Sequence, residues 1–265
     1  MILYPPAKIN LGLNILRKRE DGYHDIDTCM VEIPFTDILE VTKSESFEFV
    51  QTGITINGIG GTNLCEKAYH LMRKDFEIGP VRIHLRKQIP VGAGLGGGSA
   101  DATYTLLAMN QLFQLQLSNQ KLKELSADLG SDCPFFVQNK AALISGRGEV
   151  VTPVQFSLSG KYLVVMNPGI HISTAQAFQG IQPKPSNFDW NRLVQNQELN
   201  DALKNDFEPQ VFKLFPEIEK IKENLLKAGS IYASMSGTGS TVYGIFNEKP
   251  EIDWGENYFS RTFSI

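Results

Sequence analysis

The stretch VRIHLRKQIPVGAGLGGGSADAT, residues 81–103, constrains the fold more than any other part of the chain. Val81, Ile83 and Leu85 alternate with Arg82, His84 and Arg86, which predicts a half-buried strand over 81–89. Pro90 ends it. Five glycines then fall within seven residues, from Gly92 to Gly98. From Ser99 the spacing of Leu106, Leu107, Met109 and Leu112 is helical. A strand, a glycine loop and a helix in succession bring backbone N–H groups close to an anion, with the positive end of the helix behind them. So many glycines carry an entropic cost that a plain turn does not require.

The letters alone leave the anion open. Gly92, Gly94 and Gly97 satisfy G-x-G-x-x-G, the dinucleotide fingerprint. That fingerprint needs an acidic residue at a strand end about 20 residues further on. Here the following stretch, QLFQLQLSNQKLKEL, reads as two helices. The Walker A pattern fails as well, because Gly98 follows Gly97 where a lysine is required. A ligand-free turn is the bland alternative. Ser99, at the expected helix start, has a hydroxyl suited to a phosphate or a metal ion.

The rest of the chain alternates strands and helices without a βαβ repeat, which places it in the α+β class. Residues 38–50 read as strand with a polar turn inside, and Asn63 as the N-cap of a helix with Leu64, Ala68, Leu71 and Met72 inward. Ser118 caps a further helix, for which Gly130 is the expected C-cap. Residues 141–154 read as strand, turn and strand. Around 155–160 the pattern resets: KYLVVMNPG is a strand, and HISTAQAF starts a short helix at Ser173 or Thr174. PEIEKIKENLLKAG is an amphipathic helix ending at Gly229, and YASMSGTGSTVYGIF is strand, turn, strand. Two lobes follow, 1–155 and 156–265.

Composition excludes some partners. At 265 residues with 42% hydrophobic content, the chain can bury a real core. A formal net charge of −4 argues against nucleic acid as the main partner. No apolar run approaches the ~18 residues of a membrane span, and MILYPPAKIN is not a signal peptide. Cys29, Cys65 and Cys133 fit neither a disulfide framework nor a C-x-x-C metal site, so a reducing cytoplasmic setting is expected.

Three further places invite a functional reading. In PPAKINLGLNI, Lys8, Asn10 and Gly12 would share one face of a strand; locally this is an edge-strand lysine in solvent. In DLGSDCPFFV, Asp132 stands against apolar residues either as an N-cap or as a functional carboxylate, and Cys133 reads as a small buried filler. SMSGTGST, residues 234–241, is a hairpin turn or a second glycine loop packing on the first.

Together, PAKINLGL, PVGAGLGGGSADA and SMSGTGST resemble, in that order, the three motifs of the GHMP kinase superfamily. PAKINLGLNI followed by DGYH, with GSDCPFF, resembles those members whose acceptor is a methylerythritol carrying cytidine diphosphate. The resemblance runs from about Tyr4 to about Phe246. It implies a two-lobed α+β fold: an N-terminal ribosomal-protein-like lobe with a left-handed βαβ crossover, against the general rule, and a C-terminal ferredoxin-like lobe. It implies ATP as co-substrate with Mg²⁺, a small-molecule cytidyl-diphosphate acceptor, and a monomer or weak homodimer.

By position, Lys8 and Asp132 match the family's catalytic pair. Asp132 would take the acceptor proton, and Lys8 would orient the hydroxyl and favour the carboxylate. Pro90, Val91, Gly92, Ala93, Gly94, Leu95, Gly96, Gly97, Gly98, Ser99 and Ala100 would hold the triphosphate. Asn10, Tyr23, His24, Thr174 and Phe178 match acceptor-binding positions, with Tyr23 and Phe178 on either side of the base. Ser236, Gly237, Thr238 and Gly239 would lie near the phosphates. The metal ligands are not implied beyond Ser99 as a candidate. Ala100 stands where many relatives have a second serine, and Thr241 where small residues are common. Another GHMP kinase, of homoserine or mevalonate type, and a non-catalytic nucleotide-binding protein on the same fold remain open at this level.

Overall fold

In this computed structural model residues 1–54, 62–138, 140–200, 202–251 and 258–265 are described. In chain order the elements are β1 (Ile2–Leu3), β2 (Pro6–Lys18), β3 (His24–Thr36), β4 (Ile38–Lys43), β5 (Glu48–Gly53), α1 (Leu64–Asp75), β6 (Val81–Lys87), α2 (Gly97–Leu112) and α3 (Asn119–Ala127). A 3-10 turn at Cys133–Val137 follows, then β7 (Ala142–Ser145), β8 (Val150–Pro153), β9 (Tyr162–Asn167), α4 (Thr174–Phe178), α5 (Trp190–Asn196), α6 (Glu208–Leu214), α7 (Pro216–Lys227), β10 (Tyr232–Met235), β11 (Val242–Phe246) and β12 (Phe259–Ser264).

These elements form two compact units that are interleaved in sequence. One comprises Met1–Ala7, Phe35–Val91 and Gly96–Lys140; the other comprises Lys8–Pro34, Gly92–Leu95 and Ala141–Ile265. The pattern of the sequence, by contrast, divides the chain once, at 155/156.

In the first unit the sheet order is β1-β4-β6-β5. β4 and β6 are antiparallel, whereas β5 and β6 are parallel and joined through α1, a βαβ crossover. The alternation seen in the sequence is real: Val81, Ile83 and Leu85 are buried, and Arg82 and Arg86 are exposed. Asn63 caps α1 as expected. Its Oδ1 accepts from Cys65 N–H at 2.9 Å, and its own N–H donates to Glu66 Oε1 at 3.0 Å, a capping box. The buried face of α1 is rotated from the expected one: Cys65, Ala68, Tyr69 and Met72 are buried, while Leu64 and Leu71 are half-buried. α2 starts at Gly97, two residues before the expected Ser99, and is buried nearly all round, which blurs its periodicity. α3 is capped by Ser118 but ends at Ala127, so Gly130 lies beyond its C-cap, in the turn that leads to Asp132.

In the second unit, β2, β3, β7 and β8 form one sheet and β10, β11, β9 and β12 another, each in that order. The turn at 20–22 joins β2 to β3, with Arg19 N–H donating to Tyr23 O at 2.8 Å. Counting β9, β10, β11 and β12 as strands one to four, the second sheet reads 4-1-3-2, and β9 pairs antiparallel with both β11 and β12. That is the ferredoxin-like order the resemblance implies. α7 packs on β10 and β11 through Ile218, Ile221 and Leu225. α5, α6 and β12 were not visible in the sequence pattern. Among the described residues no helix is long and apolar enough to cross a membrane. Cys29, Cys65 and Cys133 are buried free thiols.

Candidate active site

Lys8 is not the solvent-facing lysine of a local reading. β2 is buried on both faces from Pro6 to Leu13, and Lys8 is 2% exposed. Its Nζ donates to Asn10 Oδ1 at 2.6 Å and to Gly94 O at 3.0 Å. Asn10 is buried too, and its amide nitrogen donates to Thr28 Oγ1 at 3.2 Å. Asn10 therefore holds the lysine's ammonium in place, a contact the i, i+2 spacing allows because both side chains leave the same face of the strand.

Residues 92–95 of the glycine loop belong to the same unit as Lys8. Three successive carbonyls there are taken up by protein donors. Ala93 O accepts from Thr241 N–H at 3.2 Å, Gly94 O from Ser236 Oγ at 2.8 Å, and Leu95 O from Lys8 N–H at 2.9 Å. The second glycine loop thus packs on the first. Gly94 has φ +79°, and a Cβ there would lie 1.9 Å from the Ser236 carbonyl oxygen. Only glycine fits, and here the space serves the protein's own backbone. Ser236 and Gly239 are buried, Thr238 is half-buried, and a Cβ on Gly237 would lie 3.4 Å from Lys8 Nζ. Asn205, which the sequence did not single out, fixes this turn by donating to both Met235 O and Gly237 O at 2.8 Å.

The residues matched to an acceptor pocket also lie in this unit. His24 stacks on Phe178 with ring centroids 4.6 Å apart and an interplanar angle of 18°. Phe178 also meets Phe207 edge-on at 4.8 Å. Burial, and then the Lys18 charge, push the His24 pKa down, favouring the neutral ring. Tyr23 is 54% exposed and lies under the Arg147 guanidinium, 4.8 Å from its ring centroid. The ring facing Phe178 in this structure is therefore His24 rather than Tyr23. Thr174 opens α4, capped by Ser173 through Gln176 N–H, and is exposed.

The first unit holds Pro90, Val91, Gly96–Ala100 and Asp132. Gly96 is the N-cap of α2, and Ala100 N–H makes the first helical bond, to Gly96 O at 2.9 Å. The N–H groups of Gly97, Gly98 and Ser99 precede that bond, so they are the helix's donors toward an anion. The turn carrying Asp132 packs on the same end of α2. Thr103 Oγ1 donates to Cys133 O at 2.9 Å, and a Cβ on Gly130 would lie 3.7 Å from Ser99 Oγ. Asp132 takes the N-cap position of the 3-10 turn, yet its side chain makes no capping hydrogen bond there. The capping alternative thus falls away. Cys133 is fully buried, and burial pushes its thiol up to about 12, so it is packing rather than a nucleophile.

The strand that enters the loop carries a buried ionic cluster, for which the sequence gives a single signal. Lys87 continues the inward register of Val81, Ile83 and Leu85. Its Nζ bridges Asp37 Oδ2 at 2.5 Å and Asp101 Oδ2 at 2.6 Å. Burial lifts the Asp101 carboxyl to about 7, against the pull of the Lys87 ammonium.

The chain matches the family model "GHMP kinases N terminal domain" over residues 63–140 and "GHMP kinases C terminal" over residues 187–264. It is 44% identical over 255 residues to the 4-diphosphocytidyl-2-C-methyl-D-erythritol kinase of Cytophaga hutchinsonii, covering 95% of this chain and 94% of the relative. It is 45% identical over 258 residues to that of Bacteroides fragilis, with the same coverage. A crystal structure of 4-(cytidine 5'-diphospho)-2C-methyl-D-erythritol kinase superposes with a TM-score of 0.79 at 32% identity, over 92% of this chain and 89% of that one. A homoserine kinase from Cytophaga hutchinsonii superposes with a TM-score of 0.65 at 16% identity, over 99% of this chain and 93% of that one; that likeness is one of fold.

Proposed function

The chain belongs to the GHMP kinases and, within them, to the 4-diphosphocytidyl-2-C-methyl-D-erythritol kinases, and on that premise we propose how its residues work. The enzyme moves the γ-phosphoryl of ATP to the 2-hydroxyl of 4-diphosphocytidyl-2-C-methyl-D-erythritol, giving the 2-phosphate, a step of non-mevalonate isoprenoid precursor synthesis. Asp132 accepts the proton of that hydroxyl as general base. Lys8 orients the hydroxyl and supplies positive charge. The backbone N–H groups of Gly97, Gly98 and Ser99 hold phosphate oxygens at the helix start. This is positioning plus electrostatics, which phosphoryl transfer mostly requires.

The observation that carries this reading is the setting of Lys8. A lysine 2% exposed is costly to bury unless its charge is used or paired. Its ammonium donates to Asn10 Oδ1 and to Gly94 O, and the second belongs to the glycine loop itself. The ammonium is thereby tied to the segment that meets the nucleotide. Tyr23, His24, Thr174 and Phe178 form the pocket for the cytosine end, with the His24–Phe178 stack as its apolar wall.

Mg²⁺ offsets the charge of the triphosphate when bound. Among the described residues there is no group of three or more His, Cys, Asp or Glu arranged to hold a metal. The Ser99 hydroxyl, in the first turn of α2, is the oxygen donor of the chain that would help hold such an ion against the phosphates. The three buried thiols suit a reducing cytoplasmic setting, and the working form is a monomer or weak homodimer.

An acceptor panel tests the reading. With ATP and Mg²⁺, the purified chain is expected to phosphorylate the cytidyl-diphosphate acceptor and to leave homoserine and mevalonate unchanged. Transfer to either of those, and none to the cytidyl compound, would contradict it.

A further inference from the structure

We propose that Lys87 is a positioning residue for nucleotide binding: through Asp37 and Asp101 it ties the strand entering the glycine loop to the helix leaving it, and so sets the shape of the loop. The inference rests on the reading of that loop as the nucleotide cradle.

The geometry is that of a single ammonium with an arm on each side. On the entry side, Asp37 takes Lys87 Nζ on one oxygen and two successive backbone N–H groups on the other, Gln88 at 2.5 Å and Ile89 at 2.9 Å. The Gln88 side chain adds a bond to Thr36 O at 2.8 Å. Residues 87–89 are thus locked to the turn between β3 and β4. On the exit side, Lys87 Nζ reaches Asp101, in the second turn of α2. Gly97, the first residue of that helix, passes directly over the ammonium: a Cβ there would lie 2.9 Å from Lys87 Nζ and 2.9 Å from Ile89 Cγ2.

The cluster is almost fully buried, with Asp37 at 0% exposure and Lys87 and Asp101 at 2%. One cation faces two carboxylates, and Asp101 Oδ1 is a buried oxygen with no hydrogen-bond partner. A packed apolar trio would hold a core at lower desolvation cost, and fixing one arrangement is the better-attested use of a buried ionic group. Here the arrangement fixed is that of Gly97, Gly98 and Ser99, whose N–H groups must converge on phosphate oxygens within a few tenths of an ångström to be of use.

The test separates position from fold. Lys87→Met combined with Asp101→Asn removes the ammonium while leaving Asp37 its two backbone donors and no unpaired charge at 101. Circular dichroism and thermal melting report folding. KM for ATP and the Kd of a non-hydrolysable ATP analogue by calorimetry report the cradle, and KM for the acceptor serves as the internal reference. At least a tenfold rise in KM and Kd for the nucleotide is expected, with acceptor KM within about twofold. Asp101→Asn alone keeps an oxygen for Lys87 and is expected to stay within about threefold of wild type. Unchanged nucleotide binding in the double variant, or an equal rise in both KM values, would overturn the proposal. Should the double variant not fold, Asp101→Ala against Asp101→Asn carries the same expectation: a tenfold loss for alanine only, with equal values for the two overturning it. The calorimetry does not depend on which acceptor the enzyme uses. A wild-type chain that fails to bind the analogue removes the cradle reading and this inference with it, whereas normal wild-type binding with an indifferent double variant removes the inference alone.

Discussion

At the scale of single residues, the proposed chemistry rests on two charges, those of Lys8 and Asp132. Asp132 sits at the head of a 3-10 turn that its side chain does not cap, so replacing it removes no helix cap. Asp132→Asn is expected to lower kcat by about 10²–10⁴-fold, the usual contribution of a positioned acid or base, with ATP binding by calorimetry nearly unchanged. Near-normal turnover would remove it from the base role. Gly94→Ala is expected to act the other way. The φ of +79° disfavours any side chain, by about 1–3 kcal/mol, and the Ser236 carbonyl leaves no room for a Cβ. Thermal melting should show a clear loss of stability, and a wild-type melting temperature would refute the packing argument. These residues were legible to unequal degrees. Asp132 and Lys8 looked ordinary in their own sequence neighbourhoods and gained meaning only from motifs far along the chain. Lys87 stands in the inward register of β6, but its partner Asp37 is 50 residues away, so no local pattern pairs them. Asn205, which holds the second glycine loop, has no local signal, since its bonds are to residues 30 and 32 positions on.

At the scale of elements, the strand, glycine loop and helix were readable because each has a strong local cause: alternation in β6, the proline stop, the glycines. The start of α2 was displaced by two residues because its first turn is glycine, which carries no side-chain periodicity. α5 and α6 are seven residues each, about two turns, too short for a periodic signal and held by caps and tertiary contacts. The pairing of α2 with β6 makes a pH prediction. Burial raises the Asp101 carboxyl from 3.8 to about 7, with Asp37, Lys87 and, from α1, Cys65 around it. The folded state therefore holds that proton more tightly than the unfolded chain does. Its contribution is full below about pH 3.8 and is lost as pH rises through about 7. Melting temperature should fall between about pH 4 and 7 and level off above that, and Asp101→Asn should flatten part of that slope. Glu32, raised by its own burial to about 7, supplies a further part that the variant leaves. An identical slope in wild type and variant would exclude Asp101 as a source.

At the scale of the whole molecule, the sequence resemblance spans nearly the entire chain, and the relatives match it over nearly their full length. The order β10-β11-β9-β12 and the parallel β5–β6 pair are the long-range features that composition and periodicity could not supply. Strand order depends on which segments meet, and that is decided by packing. The interleaving of the two units has the same origin: residues 92–95 join the unit of Lys8 because three of their carbonyls are bonded within it. The central claim is that Asp132 receives the proton from the acceptor hydroxyl. A crystal structure of the chain with a non-hydrolysable ATP analogue and 4-diphosphocytidyl-2-C-methyl-D-erythritol tests it most directly. The account predicts the 2-hydroxyl within about 2.6–3.2 Å of an Asp132 carboxylate oxygen. A complex holding both ligands, with that hydroxyl bonded to another group and Asp132 making no contact with the acceptor, would contradict it.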